Sequence, residues 1–191
     1  MTSNLVNALS TTKMKALSTD QVAALSTTAM QNISTTNLAA LSTAQVQALT
    51  TTGVAQLTTT QVQKFSTDQL KALTTTVLSS MSTDQLRALT TAQVKALTSD
   101  GLNALSSTKL QALDTNQVAA LTTAQINSLS SSQIQSLSTN QLVALTDEQI
   151  VGLEASDFAA MTSTQVSKLT TDQLAAMATD DIVALNSSQV T

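Results

Sequence analysis

Apolar residues recur along this chain on a strict period of eight, in two columns. Counting in eights from Leu73 meets Leu, Ile, Met or Phe at every step from Leu9 to Leu185, and counting from Leu70 meets an apolar residue at every step from Val6 to Val190. The columns hold 23 and 24 positions, all 47 of them apolar, with no insertion or deletion across 191 residues. The repeating unit is read from Ser66 to Leu73, S-T-D-Q-L-K-A-L, and its positions are numbered one to eight from Ser66.

Each octad carries a helix-start signal. Position one is Ser, Thr, Asp or Asn in 22 of 24 copies, the exceptions being Glu154 and Ala178, and position four is Gln in 14 of 24. A hydroxyl followed three residues later by Gln is a capping box, in which each side chain bonds the other's unpaired backbone N–H. The residue before the cap (Phe65) and the one at position five (Leu70) form the pair that a hydrophobic staple requires, so one device explains both apolar columns. Charges are sorted to match. All twelve acidic residues lie at positions one to four, and six of the eight basic ones lie at positions six and seven. That order suits the dipole of a short helix. Position seven is Ala in 15 of 23 copies, a good helix former that allows close backbone approach.

A single long helix fails on geometry. Eight residues at about 100° each would rotate the apolar stripe by roughly 80° per octad, carrying it to the solvent side. A straight strand fails because columns five and three residues apart lie on opposite faces. Thr and Val favour strands, so a bent β-solenoid is the runner-up. The pattern predicts an all-α solenoid or superhelix of about 24 octapeptide repeats, each a capped helix of about one and a half turns. Helices this short are unstable alone, so successive octads must wind together and hold both columns inside. With no linker in the pattern, residues 1–191 are expected to form one continuous solenoid whose stability accrues unit by unit.

Departures from the pattern are few. Gly53, Gly101 and Val77 replace Gln and leave their capping boxes incomplete. Residues 146–160 diverge most, with Glu154 at a cap, Asp157 in place of Gln and Phe158 in a core column. Neutral drift explains them, and a docking site for a partner is the sharper alternative. Residues 147–191 carry seven acids and one base against five acids and seven bases in residues 1–146, giving −6 and +2. Without a polar capping segment at its end, the chain is expected to belong to something longer or to associate end to end.

Composition removes most chemistry. The chain has no Cys and no His, which excludes thiol nucleophiles, Ser–His catalysis, disulfides and the usual zinc or haem ligands. The acidic pairs Asp147–Glu148 and Asp180–Asp181 read as solvated first turns rather than as general acid and base. Met14, Met30, Met81, Met161 and Met177 all fall in core columns. No calcium loop, phosphate-binding glycine cluster, basic nucleic-acid surface, secretory signal or membrane span is visible. No enzyme activity, catalytic residue, cofactor, cofactor-binding residue or metal site is expected, and neither nucleic acid nor membrane insertion. Position two is Ser or Thr in 22 of 24 copies, so a ladder of hydroxyls is expected along one side. Regular Thr arrays suit adsorption to ice, and plain solubility is the simpler account.

The motifs A-L-S-T-D-Q-V-A-A-L (Ala16–Leu25) and A-L-T-T-A-Q-V-K-A-L (Ala88–Leu97) resemble octapeptide repeats of the L-[ST]-T-x-Q-[VL]-x-A type found in long, repetitive bacterial proteins, many of them secreted or surface-exposed. The resemblance covers the whole chain. It implies a bacterial or phage source and a rigid spacer, stalk or scaffold segment outside the cell or at its surface. Flanking domains or an unidentified protein would be its partners. The rival expectations are a solenoid that grips a peptide or protein along a groove, and an ice- or surface-adsorbing Thr array.

Overall fold

The computed structural model describes Val6 and residues 8–190. Among these residues the chain forms 22 α-helices between Thr11 and Ala184, each of four to six residues, and no strand. The helical alternative therefore holds over the β-solenoid. The cap Thr2 of the first octad lies outside the described residues. The last octad closes as a turn, in which Gln189 Oε1 accepts the Asn186 N–H at 2.8 Å.

The capping boxes form as the sequence predicts. Gln69 N–H donates to Ser66 Oγ at 3.1 Å, and Ser66 N–H donates to Gln69 Oε1 at 2.9 Å. All thirteen described helices with Gln at position four have both bonds. Where Gln is missing at Gly53, Val77 and Gly101, the Thr at position one still accepts the backbone N–H, at 3.1, 3.2 and 3.1 Å, and only the return bond is lost. Asp157 and Asp181 do the opposite. Their carboxylates accept the N–H of Glu154 and Ala178, at 3.0 and 2.8 Å, in helices whose first residue makes no side-chain cap.

The bend between helices needs no special residue. Position eight of one octad and position one of the next are both extended, as at Leu73 (φ −61°, ψ 134°) and Thr74 (φ −67°, ψ 153°). No described residue has positive φ, so a chain with three Gly and no Pro can turn every eight residues.

The chain divides into two compact units, Met1–Ala104 and Leu105–Thr191, each a helical repeat solenoid. Within each unit a helix packs on the third helix after it. Thr43–Gln47 meets Thr67–Ala72, which meets Thr91–Ala96. In the second unit Ser107–Gln111 meets Ser131–Ser136, which meets Ala155–Ala160, which meets Thr179–Ala184. The columns become two buried stripes, with Val46, Met81, Leu86, Ile134 and Phe158 fully buried. Burying such a side chain contributes about 1.5–3 kcal/mol, which is what stabilises helices too short to persist alone. The stripes open at the chain's extremes. Leu9, Leu17 and Leu185 are half-buried, and Leu174, Ile182 and Val190 are exposed.

Candidate functional site

The most elaborate polar arrangement in the molecule is a ladder of Gln side chains. Most of them serve their own capping box with Oε1 and turn Nε2 onto an earlier turn of the solenoid. In the first unit Gln45 Nε2 donates to the carbonyls of Met14 (3.0 Å) and Leu17 (2.8 Å), and Gln85 to Val54 (2.9 Å) and Leu57 (2.6 Å). In the second, Gln149 donates to Val118 (3.1 Å) and Leu121 (2.6 Å), and Gln173 to Leu142 (2.9 Å) and Leu145 (2.8 Å). The acceptors lie 31 and 28 residues back, at positions five and eight of the fourth octad before. The position-eight carbonyls lie just past the helix end, and the position-five carbonyls, which already accept the position-eight N–H of their own octad (Leu57 N–H to Val54 at 3.0 Å), take the amide as a second donor. Since helices pack three octads apart and Gln reaches four octads back, a turn of each solenoid contains between three and four octads.

Asn37 performs the same task with a shorter arm, donating to Val6 at 3.0 Å and Leu9 at 3.1 Å. Thirteen of the fourteen position-four Gln residues are buried. Gln21, in the first turn, is exposed. The ladder has no reactive group and binds the chain to itself.

The other surfaces offer little chemistry. Asp147 and Glu148 are exposed, while Asp181 is buried in its cap, so Asp180–Asp181 is not a cooperating pair. Asp157 accepts a second bond from Ser131 Oγ at 2.8 Å, which accounts for its departure from Gln structurally. Phe158 is fully buried. Residues 146–160 thus keep the common frame. Among the described residues no three His, Cys, Asp or Glu side chains come together as metal ligands, and no helix is long and apolar enough to cross a membrane.

Position-two side chains are exposed or half-buried at every described octad, as a hydroxyl ladder requires. They also face the next turn. A Cβ placed on Gly152, at position seven, would lie 2.5 Å from Thr123 Cγ2, and Ser80 Oγ, also at position seven, donates to the Thr51 carbonyl at 3.3 Å. Position seven packs on position two three octads earlier, which explains its preference for Ala. At the far end of the second unit Val166, Leu169, Leu174, Leu185, Gln189 and Val190 line an open groove of about 310 Å³. Sequence reading missed the interturn half of the ladder and this opening. A signal for the ladder was present, because Glu serves a capping box as well as Gln, yet Glu never occupies position four. Only the amide can both accept from the cap and donate to carbonyls.

The ALTTAQ repeat model matches residues 6–35, 30–67, 62–99, 96–131 and 150–187. The matches pass over residues 132–149, where the helices Ser131–Ser136, Thr139–Val143 and Asp147–Val151 nevertheless keep complete capping boxes. No curated protein matches the chain. With repeats spread from residue 6 to residue 187, the chain belongs to the ALTTAQ repeat family.

Proposed function

We propose that the chain is a non-catalytic structural spacer, a stalk or scaffold segment whose useful property is a length set by the number of octads. The observation that carries this reading is the Gln ladder. It fixes each turn to an earlier one through backbone carbonyls, so the geometry of a step does not depend on which residues occupy the surface. Positions three and six vary among Ala, Asp, Glu, Asn, Ser, Thr, Gln, Lys, Arg and Val while the step is kept. A chemical site needs the opposite, fixed residues in one or two octads. The resemblance to octapeptide repeats of secreted and surface proteins supports a place outside the cell or at its surface, between other domains.

The test is a series of chains lacking one, two or four whole octads, compared by small-angle scattering. A spacer shortens by an equal increment per octad and keeps its helical signal. Unequal increments, or loss of the helical fold with the first deletion, would overturn the reading.

A further inference from the structure

We infer that one column of helices in the first unit, through Ala29, Gly53, Val77 and Gly101, is a seam at which successive turns open locally while the other two columns hold. This goes beyond the spacer reading and does not depend on it.

The first observation is a longer period laid over the octad. Helices three octads apart stack, so the position-four residues of one column recur every 24 residues. Counting in steps of 24 from Gln21 meets Gln at all eight steps to Gln189. Counting from Ala29 meets Gly53, Val77 and Gly101, and no Gln within the first unit. The gaps in the ladder are not scattered. They fall one above another.

That alignment matters because the peptide at each bend is held by two Gln residues 24 apart. At Leu41–Ser42 the N–H donates to Gln45 Oε1 at 2.8 Å, and the carbonyl accepts from Gln69 Nε2 at 2.7 Å. Gln69 and Gln93 hold Phe65–Ser66 in the same way, and Gln61 and Gln85 hold Leu57–Thr58. With Gln missing at 53, 77 and 101, both partners vanish from the same peptide. Among the described residues nothing donates to the carbonyls of Leu49 and Leu73, and the N–H groups of Thr50 and Thr74 have no acceptor. Parting the turns at Leu41–Ser42 breaks two directional hydrogen bonds. Parting them at Leu49–Thr50 or Leu73–Thr74 breaks none, and brings water to a peptide that lacks partners.

What closes the seam is apolar contact. Ala29 and Val77 are buried, a Cβ on Gly53 would meet Met30 Cγ at 3.1 Å, and one on Gly101 would meet Leu78 Cδ2 at 2.8 Å. Contact of this kind has no preferred direction and lets packed helices slide by small amounts. Ser80 Oγ also reaches across, to the Thr51 carbonyl, but at 3.3 Å and while donating to its own Val77 carbonyl at 2.7 Å. It is a weak substitute for an amide that meets its carbonyl at 2.6–2.8 Å.

The test is native-state hydrogen exchange on the 191-residue chain, read by NMR at the position-eight N–H groups. Those of Leu49 and Leu73 donate within their own octads at 3.1 and 3.2 Å, and those of Leu41 and Phe65 at 3.2 Å. Because the local bonds match, unequal exchange reports the opening of turns. Leu49 and Leu73 should exchange about tenfold faster than Leu41 and Phe65, the change in open population that one or two net hydrogen bonds produce. Val77→Gln offers Oε1 to the Thr74 N–H and Nε2 to the Leu49 carbonyl. It should slow Leu49 to the rate of Leu41 and leave Leu25, which faces Gly53, as fast as before. Gln69→Val should do the reverse and bring Leu41 up to the rate of Leu49, with Leu57, held by Gln85, as the unchanged reference. Equal exchange at the four sites of the parent would overturn the proposal. So would a folded Val77→Gln chain in which Leu49 stays fast, or in which every position-eight N–H slows by one factor. Should Val77→Gln not fold, by far-UV circular dichroism, an unaltered Leu41 rate in Gln69→Val overturns it alone.

Discussion

The side chain of Gln69 joins Ser66, at the start of its own helix, to Leu41, 28 residues earlier. Its Oε1 accepts the Ser66 N–H at 2.9 Å while its Nε2 donates to the Leu41 carbonyl at 2.7 Å and to Leu38 at 3.1 Å. One residue thus carries local structure and packing between turns at once. The two roles separate by substitution. Gln69→Ala removes both and should cost about 1–3 kcal/mol, since the buried Leu41 carbonyl loses its donor and Leu38 keeps only the Leu41 N–H. Gln69→Glu keeps the cap but sets a carboxylate against those carbonyls, and should cost more at neutral pH. Burial and the facing carbonyls favour the protonated acid, raising its folded-state pKa above the ordinary value of about 4.3. The deficit should therefore shrink as pH falls through that raised value towards the unfolded one, where the protonated form can donate. Thermal melts of both variants at neutral and acid pH check this. A Gln69→Glu chain as stable as its parent at neutral pH would remove the ladder from the account.

The second expectation contrasts burial with capping inside one octad. Leu73 sits in the position-eight stripe at 7% exposure, and Ser66 Oγ holds a single cap bond of 3.1 Å. Leu73→Ala should cost about 2–5 kcal/mol as a core truncation. Ser66→Ala should cost about 1 kcal/mol as a lost cap. Equal losses in denaturant titrations would mean that capping matters as much as packing in this fold.

These contrasts show why so much of the architecture was legible in sequence. Caps, staples and charge order are local signals, and each recurs in phase often enough to exclude a long helix or a strand. The winding was not legible, because Leu38 and Leu41 are ordinary core residues in sequence and only the folded chain brings their carbonyls to Gln69. The hint lay in a residue that never occurs at position four: Glu would satisfy the box but not the carbonyls. At Asp157 the sequence shows only a departure from Gln, while in the fold its carboxylate serves the Glu154 N–H and Ser131 Oγ.

The gaps in the ladder give a third prediction, in the direction of gain. Gly53 leaves its return cap bond unmade and has no amide to offer the earlier turn. Gly53→Gln should restore both and remove the helix penalty of Gly, about 0.8–1.0 kcal/mol against Ala. Its Cβ would stand 3.0 Å from Thr50 Oγ1, the hydroxyl that caps the same helix, and 3.1 Å from Met30 Cγ, part of a flexible side chain that can yield. A net gain of about 1–2 kcal/mol is expected, combining a hydrogen bond and the lost penalty less the repacking. A destabilised variant in chemical denaturation would show that Met30 cannot move and that glycine was needed there for space.

The last prediction turns on whether the octad or the residue is the unit of the fold. Deleting Ser82–Leu89 removes Gln85, whose amide holds the carbonyls of Val54 and Leu57. It also brings Gln93 eight residues nearer, so that its reach of 31 and 28 residues, spent at present on Val62 and Phe65, falls on Val54 and Leu57. The ladder re-forms with a new member, both apolar stripes stay in phase, and the chain loses only the burial of one step. Deleting Thr83 alone removes far less protein and does more harm. It puts Leu86 and Leu89, buried at 0% and 3% exposure, out of phase with every octad on one side, and moves each later Gln one residue off its carbonyls. The eight-residue deletion should therefore melt within a few degrees of the parent, as loss of roughly 1 kcal/mol does in a chain of this size. The one-residue deletion should lose several times as much and show a weakened helical signal. A tolerated Thr83 deletion beside an unfolded octad deletion would mean that the period of eight is not what holds the turns together, and that the interturn amides follow the packing instead of setting it.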